Sequence, residues 1–535
     1  MKENQVTEKQ NTGKKFDWFF VVGCIAFATV FFCDVFFLAR NIYLHPNADL
    51  SSEMILAKLL RDEHKWITPN WFYSTELRVI AIAPIYSLFF YVSDKWDTVR
   101  ILGSVLMYIL FSAGIYYFCS RLIKDGRWIA PICCAIMLLP FSFEWQNMLL
   151  TGMYYAPQVA AAFVEMALLL DIIATPSEKK GRRVILLSLT LVISFLSGLG
   201  GPRMIIMQYI PLLMCGFCMI RKHFFFFMIT VFNLFSVGIG FGINLILKAS
   251  GAFVYSTYSH VAPSFFSLDK LRNPVFDLVK NCGAKGGFSD YQCIFGCLFA
   301  GILWVAFALG FLYVVIKEIS GMNQKTKDSK DDYTGLKIVI LYTAFQLLVF
   351  LMLYQFTTMD YQARYNIHIL AFIVPAACAI IGRKWRFGLL IAAFVASVLC
   401  IGNYASYTVP DNTFERYSAV ADYLVSNDLN EGYASFWNAN LLTEMTDGEI
   451  NVWILESDAN RRDMTSSDTI FPNDGRKIVP AQWLQVKTHE NTSPKNPYFV
   501  IVTNEEYDRY IKDKNFYDEH FVMIRDNLRL YVFEQ

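Results

Sequence analysis

Charge is scarce in this sequence. Asp, Glu, Lys and Arg make up 17 % of its 535 residues, against roughly a quarter in a typical soluble protein. With 55 % of the residues hydrophobic, an ordinary solvated globule is excluded. Histidine is rare too, and the seven present are scattered, so they form no ligand cluster. Cys215-Gly-Phe-Cys218 stands alone in an apolar run, without the second pair a zinc site of that kind needs. No cysteine follows Cys400, and most of the twelve sit in apolar runs as small apolar residues. Only Cys282, with Cys293 at a membrane edge, is placed to bridge on an outer surface. There is no glycine-rich nucleotide fingerprint and no P-loop, so an ATP-driven machine is not expected. Neither a cofactor nor a metal is implied.

What is abundant is apolar sequence in long runs. Segments near the ~20 residues that cross a bilayer recur at 17–39, 99–120, 128–142, 155–174, 184–200, 204–220, 224–248, 292–316, 336–357, 367–382 and 387–404. They then stop. The pattern predicts an α-helical polytopic membrane protein with about eleven transmembrane helices. Lys14 and Lys15 precede the first run and no small-residue cleavage site follows it, so it reads as a retained anchor.

The segment 79–93 is ambiguous. As a helix it reaches about 22 Å, short of a ~30 Å hydrocarbon core, and Pro84 interrupts it. Charge decides. If 79–93 only dips in, the basic loops Arg121-Lys124-Arg127, Lys179-Lys180-Arg182-Arg183, Arg221-Lys222, Lys317 to Lys337 and Arg383-Lys384-Arg386 all share the side of the N-terminus. The positive-inside rule makes that side cytoplasmic. If 79–93 crosses, the first two loops land outside and the pattern breaks. The expected organisation is therefore a cytoplasmic tail, 1–16, and a transmembrane domain, 17–404. The outer face receives 40–98, 143–154, 201–203, 249–291, 358–366 and all of 405–535.

The last of these segments has a different composition. Residues 405–535 hold 12 Lys+Arg against 22 Asp+Glu, a charge of about −10, while residues 1–404 carry about +11. An acidic outer domain on a basic membrane body speaks against nucleic acid as a partner. Phe414 to Asn427 has apolar residues at helical spacing, and strand-like runs follow at 432–436, 450–455, 498–503, 522–526 and 528–533, with a short helix over 505–512. This predicts a small C-terminal α/β domain. Within it, Phe436-Trp437-Asn438-Ala-Asn440 permits two readings. Trp437 with Asn438 and Asn440 suits a sugar, the ring stacking on a pyranose and the amides reaching its hydroxyls. The same residues also suit a helix start in a domain core, with an asparagine as cap.

The most informative stretch directly follows the first run: Asp49-Leu-Ser-Ser-Glu53, then Trp66-Ile-Thr-Pro69, then Tyr73 to Arg78. Asp49 and Glu53 share one face of a helix that Ser51 or Asp49 could cap, and Met54 to Leu60 give that helix an apolar side for lying along the membrane. Two nearby carboxylates permit one general base and one partner that sets its pKa. The plain alternative is a capped surface helix. Two further arginines fall in outer segments: Arg203, after a glycine-rich turn, and Arg364, in Tyr361-Gln-Ala-Arg364-Tyr365. A guanidinium at a membrane edge offers paired bonds to phosphate oxygens, or simply snorkels.

Taken together, these segments resemble the membrane-embedded GT-C glycosyltransferases, above all the protein O-mannosyltransferases and the lipid A aminoarabinose transferases. The resemblance implies a polyprenyl-phosphate sugar as donor and a glycan, glycolipid or protein as acceptor, with inverting transfer at a bacterial cytoplasmic membrane. Asp49 falls at the family's catalytic acidic position. The family often has a second acidic residue immediately after it; here Leu50 intervenes and Glu53 is the substitute. Tyr73, Glu76 and Arg78 resemble the order of a tyrosine, an acidic residue and a lysine that contacts the lipid phosphate in the aminoarabinose transferases, and Arg364-Tyr365 is similar to the family's outer Arg-Tyr element. The main alternative is a flippase or transporter of polyprenyl-linked glycan, which would need polar residues deep in several spans. Asp34, Glu165, Asp171 and Asn244 are few for that purpose.

Overall fold

The computed structural model describes residues 17–42, 44, 47–123, 126–255, 261–267, 269–284, 291–321, 334–359, 361–407, 412–455 and 480–534. The tail 1–16, Asp360 and much of the loop between Lys317 and Lys337 lie outside them. The membrane body is built from α1 (Trp18–Asn41), α2 (Ala48–Asp62), α3 (Ala83–Phe89), α4 (Trp96–Leu122), α5 (Ile129–Met137), α6 (Phe143–Trp145), α7 (Ala156–Ala174), α8 (Lys180–Gly200), α9 (Ile210–Cys218) and α10 (Phe224–Ala249). It continues with α11 (Asp269–Lys280), α12 (Tyr291–Gly321), α13 (Thr334–Phe356), α14 (Ile367–Lys384) and α15 (Arg386–Tyr407).

Among the described residues nine helices are long and apolar enough to cross a membrane, and two shorter apolar ones cover Gly126–Met137 and Ile205–Cys218. The chain is a multi-pass membrane protein. The short pair correct the expected full spans at 128–142 and 204–220. Pro140 disfavours helix in the residue before it, so α5 stops at Met137, and a π-turn, Ile205–Tyr209, takes the place of the first turn of α9. Such interruptions are tolerated at membrane depth only inside protein. Every residue of α5 is buried, between α1, α4, α14 and α15. Residues 79–93 hold just the seven-residue α3, as their length and Pro84 imply.

Several polar side chains within the spans are bonded to neighbouring helices. Glu165 accepts hydrogen bonds from Ser194 (2.8 Å), Gln208 (2.5 Å), Tyr209 (2.8 Å) and Asn233 (3.3 Å). Asp34 accepts from Tyr404, Asp171 pairs with Arg121 (2.8 Å), and Asn244 donates to the Leu199 carbonyl (2.8 Å). Cys282 and Cys293 are both buried and unbridged.

Loops at the same end of the helices contact one another. Lys222 (2.7 Å) and Lys337 both pair with Glu318, gathering two basic loops at one face. At the other face Ser142 donates to the Asn281 carbonyl (3.1 Å), Asn281 to that of Ala363 (2.8 Å), and the Leu77 amide to Gly200 (3.0 Å). A two-residue parallel pairing, β1 (Phe72–Tyr73) on β2 (Val254–Tyr255), joins the segments 40–98 and 249–291.

The C-terminal part contains α16 (Asn412–Ser426), β3 (Glu431–Ser435), α17 (Phe436–Met445), β4 (Asn451–Leu455), β5 (Tyr498–Thr503), α18 (Asn504–Tyr510), α19 (Lys514–Glu519), β6 (Phe521–Arg525) and β7 (Leu528–Phe533). Its sheet runs β4-β3-β5-β7-β6, with β4, β3 and β5 parallel and the last two pairings antiparallel. It is seated on the first outer loop. The Phe72 amide donates to Gln485 (2.9 Å), the Leu484 amide to Phe72 (2.7 Å), and Lys487 to Asn70 (2.8 Å).

One carboxylate ties three elements together. Glu444 of α17 accepts from Ser51 of α2 (2.6 Å) and pairs with Arg100 of α4, and both members of that ion pair are buried. Removing one partner of a buried pair typically costs about 3–5 kcal/mol, because the other charge is stranded. Glu444→Ala should therefore lower the melting temperature of the detergent-solubilised protein sharply. Adding Arg100→Met should recover much of the loss. No recovery would mean that the ion pair is not what the truncation harms.

Candidate active site

Helix α2 begins because Asn47 takes extended backbone angles and its side chain accepts from the Asp49 amide (2.9 Å). This corrects the expected cap: neither Asp49 nor Ser51 serves. The consequence is chemical, since the Asp49 carboxylate is released from backbone duty. Among the described residues it accepts no hydrogen bond, and its nearest cationic influences are Arg364 and Arg78. Burial pushes its pKa above the ordinary aspartate value, against the pull of those two guanidinium groups.

Glu53 lies one turn further on and is buried, 3.1 Å from Arg78 Nε. Its pKa is also raised, chiefly by burial and further by the Asp49 charge, while Arg78 and the Ala83 backbone oppose the rise. Its second oxygen, Oε2, has no hydrogen-bond partner among the described residues. Glu53 and Asp49 thus titrate as neighbours, each making the other harder to ionise.

Glu76 and Arg203 form the next pair, Nε to Oε1 2.9 Å, with Gln158 at 3.4 Å from the other oxygen. The turn that delivers Arg203 depends on Gly201, whose φ of +144° is a conformation side chains rarely adopt; a Cβ there would also meet Glu76 Cγ at 3.3 Å. Arg203 stacks over the Tyr155 ring at 4.7 Å. The gap beside this pair is about 10 Å³, room for one water and not for a phosphate.

Arg364 differs from the other two. It stands on a 3-10 turn, Ala363–Asn366, at the head of α14, and among the described residues its guanidinium makes neither ion pair nor hydrogen bond. The turn is pinned by Asn281 on the Ala363 carbonyl and by buried Asn366, which donates to Tyr361 (2.8 Å). Its charge acts on Asp49, on Glu144 and on Tyr155. Tyr365 falls beside Arg203 and Tyr155.

Of the residues singled out from sequence, Asp49, Glu53, Glu76, Arg78, Arg203, Arg364 and Tyr365 therefore meet at one face of the membrane body. Tyr73 lies within the field of Arg78 and Glu53, but its hydroxyl is buried and donates to the Thr68 backbone carbonyl (2.9 Å). On the C-terminal domain the expected sugar subsite is corrected. Asn438 is buried, bonded to Tyr417, Ser435 (2.9 Å) and Glu506 (3.3 Å), and Asn440 is buried with its amide on the Leu484 carbonyl (3.1 Å). Both hold α17 in the domain core. Trp437 alone is exposed, at 63 %.

Sequence reasoning missed Tyr154. Its hydroxyl is buried without a hydrogen-bond partner among the described residues, within the field of Asp49, Glu53, Arg100 and Arg78. A π-turn over Gln146–Leu150 and a left-handed Met153 (φ 53°) fold the outer segment so that Tyr154 and Tyr155 reach the first loop. A left-handed non-glycine residue costs roughly 1–2 kcal/mol, and no local pattern announces it. Glu144 is on the same segment, its pKa raised by burial and held back by Arg364. Among the described residues no three His, Cys, Asp or Glu side chains gather as metal ligands would.

No protein-family model matches the sequence, and no curated protein does. Solved structures do. ArnT from Cupriavidus metallidurans in the apo state superposes with a TM-score of 0.54 over 94 % of this chain and 97 % of its own, at 10 % identity. The oligosaccharyltransferase of Archaeoglobus fulgidus, in complex with zinc and sulfate, gives 0.46 over 81 % and 62 %, at 11 % identity. At such identities the likeness is one of fold, and it rests on the first of the two.

Proposed function

We propose that this chain, which has the fold of the GT-C membrane transferases, moves a sugar from a polyprenyl-phosphate donor to an acceptor hydroxyl at the membrane face where Asp49 stands. One observation carries the reading: among the described residues, a carboxylate without a side-chain hydrogen bond and a guanidinium without a partner lie within one another's field across the outer segments. Proton acceptance and phosphate binding are the two demands of the reaction.

In the proposed step the acceptor hydroxyl gives its proton to Asp49 as its oxygen bonds to the anomeric carbon. The bond from that carbon to the phosphate oxygen breaks on the opposite side, and the electron pair leaves with the lipid phosphate. Attack opposite the leaving group inverts the anomeric centre. Arg364 receives the charge that develops on the phosphate. Arg78 and Arg203 are engaged by Glu53 and Glu76, so their part is to set the field around Asp49 and hold the loops. Glu53 keeps Asp49 basic by opposing the loss of its proton affinity, and the Tyr154 hydroxyl is free to bond an incoming hydroxyl. Exposed Trp437, on the helix that packs against α2, suits stacking on a sugar ring of the acceptor.

The direct test is mass spectrometry of lipids that co-purify with the protein, followed by transfer from the lipid found. Recovery of polyprenyl-phosphate sugars is the expected result; their absence, with no turnover of a supplied donor, would sink the proposal. Orientation has its own test. A reporter active only outside the cytoplasm should work when fused after Gln535 and stay silent when inserted in 175–183. Activity at the second site would reverse the sidedness.

A further inference from the structure

Between the spans α10 and α12 the chain carries a surface that the transfer reaction does not use. The segment 261–267 is pinned to the end of α13. The Ser264 amide donates to the Phe356 carbonyl (2.8 Å), and the Thr358 amide to that of Ala262 (2.8 Å). Held there, Phe265 is 96 % exposed and Phe266 58 %. Helix α11 follows, and both of its ends are tied to span ends. Lys270, in its first turn, donates to the Thr357 carbonyl (3.1 Å), just past α13. Asn281, just past its last residue, donates to the Ala363 carbonyl (2.8 Å), just before α14. The helix between them, about 16 Å long, therefore lies across the ends of the spans and does not project from them.

Helix α11 turns Pro274 and Leu278 inward, and the Pro274 carbonyl accepts from Asn366 (3.3 Å), the last residue of the Arg364 turn. On its other side Val275, Phe276 and Val279 are exposed, with Arg272 and Lys280 exposed beside them. Val275 and Val279 are one turn apart and Phe276 adjoins them, so the three share a face. Apolar side chains gathered in this way, unlike ones scattered singly, mark a surface that something covers. Continuity identifies the cover. The Phe266 ring lies 6.4 Å from that of Phe356, and Leu348, Met352 and Phe356 form an exposed stripe of α13 at four-residue spacing. In a spanning helix such a stripe meets hydrocarbon. The Phe265-Phe266 tip and the exposed face of α11 prolong it past the end of the span, and two cations at the edge of an apolar face are the complement of lipid phosphates above acyl chains.

We propose that α11 and the Phe265-Phe266 tip insert into the lipid leaflet on the Arg364 side, the rings of Phe265, Phe266 and Phe276 among the upper acyl chains and Arg272 and Lys280 at the level of the headgroups. An interfacial helix of this kind buries its apolar face about 5–10 Å into the boundary between headgroups and chains. The contact stands or falls independently of the sugar-transfer reading.

The experiment uses the full chain in phosphatidylcholine nanodiscs, with the photoreactive residue p-benzoylphenylalanine in place of Phe265, Phe276, Leu298 or Lys495 in turn. Leu298 is on the exposed, lipid-facing side of α12, and Lys495, with its side chain 88 % exposed, is on the C-terminal domain. At Phe265 and Phe276 the probe replaces one exposed aromatic ring by a larger one, so the fold is untouched. After illumination, mass spectrometry should find phosphatidylcholine adducts at both positions, in yields comparable to that at Leu298 and at least about 10-fold above that at Lys495. Crosslinks joining two chains would assign the face to a second copy, and crosslinks within one chain would assign it to another segment of the same protein. No adduct at Phe265 and Phe276, while Leu298 reacts, would leave the face in water. Each of these three results overturns the proposal.

Discussion

Asp49→Asn is expected to insert and fold normally yet lose about 10²–10⁴-fold of its sugar-transfer rate, the typical worth of a general base. The amide keeps the shape of the carboxylate and cannot take a proton. Since Asn47 and not Asp49 caps α2, a loss of activity cannot be blamed on a frayed helix. Stability should move the other way. Burial raises the Asp49 pKa, so the folded chain prefers the protonated group. That preference stabilises fully below the ordinary aspartate pKa and is lost as pH rises through the raised one. At neutral pH the wild type therefore bears a buried charge that Asp49→Asn lacks, and the variant should melt no lower than wild type. The difference should close in acid. Glu53→Gln should harm transfer less, because Glu53 acts through Asp49. A turnover near wild type in Asp49→Asn would remove the catalytic centre from this site, and a lower melting temperature at neutral pH would show the carboxylate to be structural.

How much of this was legible beforehand depends on the range of the interaction. The strands of the C-terminal domain were read to within a residue, because alternation over five or six residues is a local property that the sheet merely uses. The spans 128–142 and 204–220 were overread. Hydropathy reports apolar side chains, and it cannot tell a continuous helix from buried irregular backbone such as that after Met137. Asn438 and Asn440 misled for a related reason: composition suggested a sugar surface, while the packing of α17 turned both amides inward. The outer arginines were found as a set but could not be ranked. Which of them already had a partner depends on Glu53 meeting Arg78 and on Glu76 meeting Arg203 across 127 residues of sequence, and no periodicity encodes such pairings. Tyr154 depends on a left-handed Met153, which is visible only in the backbone.

That ranking makes Arg364 the residue whose loss should matter most after Asp49. Arg364→Ala should reduce transfer from the lipid-linked donor by on the order of 10²–10³-fold, the usual cost of removing a group that stabilises developing charge. Because its guanidinium has no partner among the described residues, removing it strands none of their charges and should leave folding near normal. Arg364→Lys should recover only part of the activity, since an ammonium keeps the charge without the two-pronged contact to phosphate. A second readout separates phosphate binding from mere packing. The Arg364 charge holds the Asp49 pKa down against burial. Without it Asp49 must protonate more readily, and the acid limb of the pH–rate profile should move to higher pH in Arg364→Ala. In Arg364→Lys the charge remains, so the limb should stay near its wild-type place although the rate is lower. An acid limb that ignores Arg364→Ala would mean that the two side chains do not share a site, and unchanged turnover would assign the lipid phosphate to another cation.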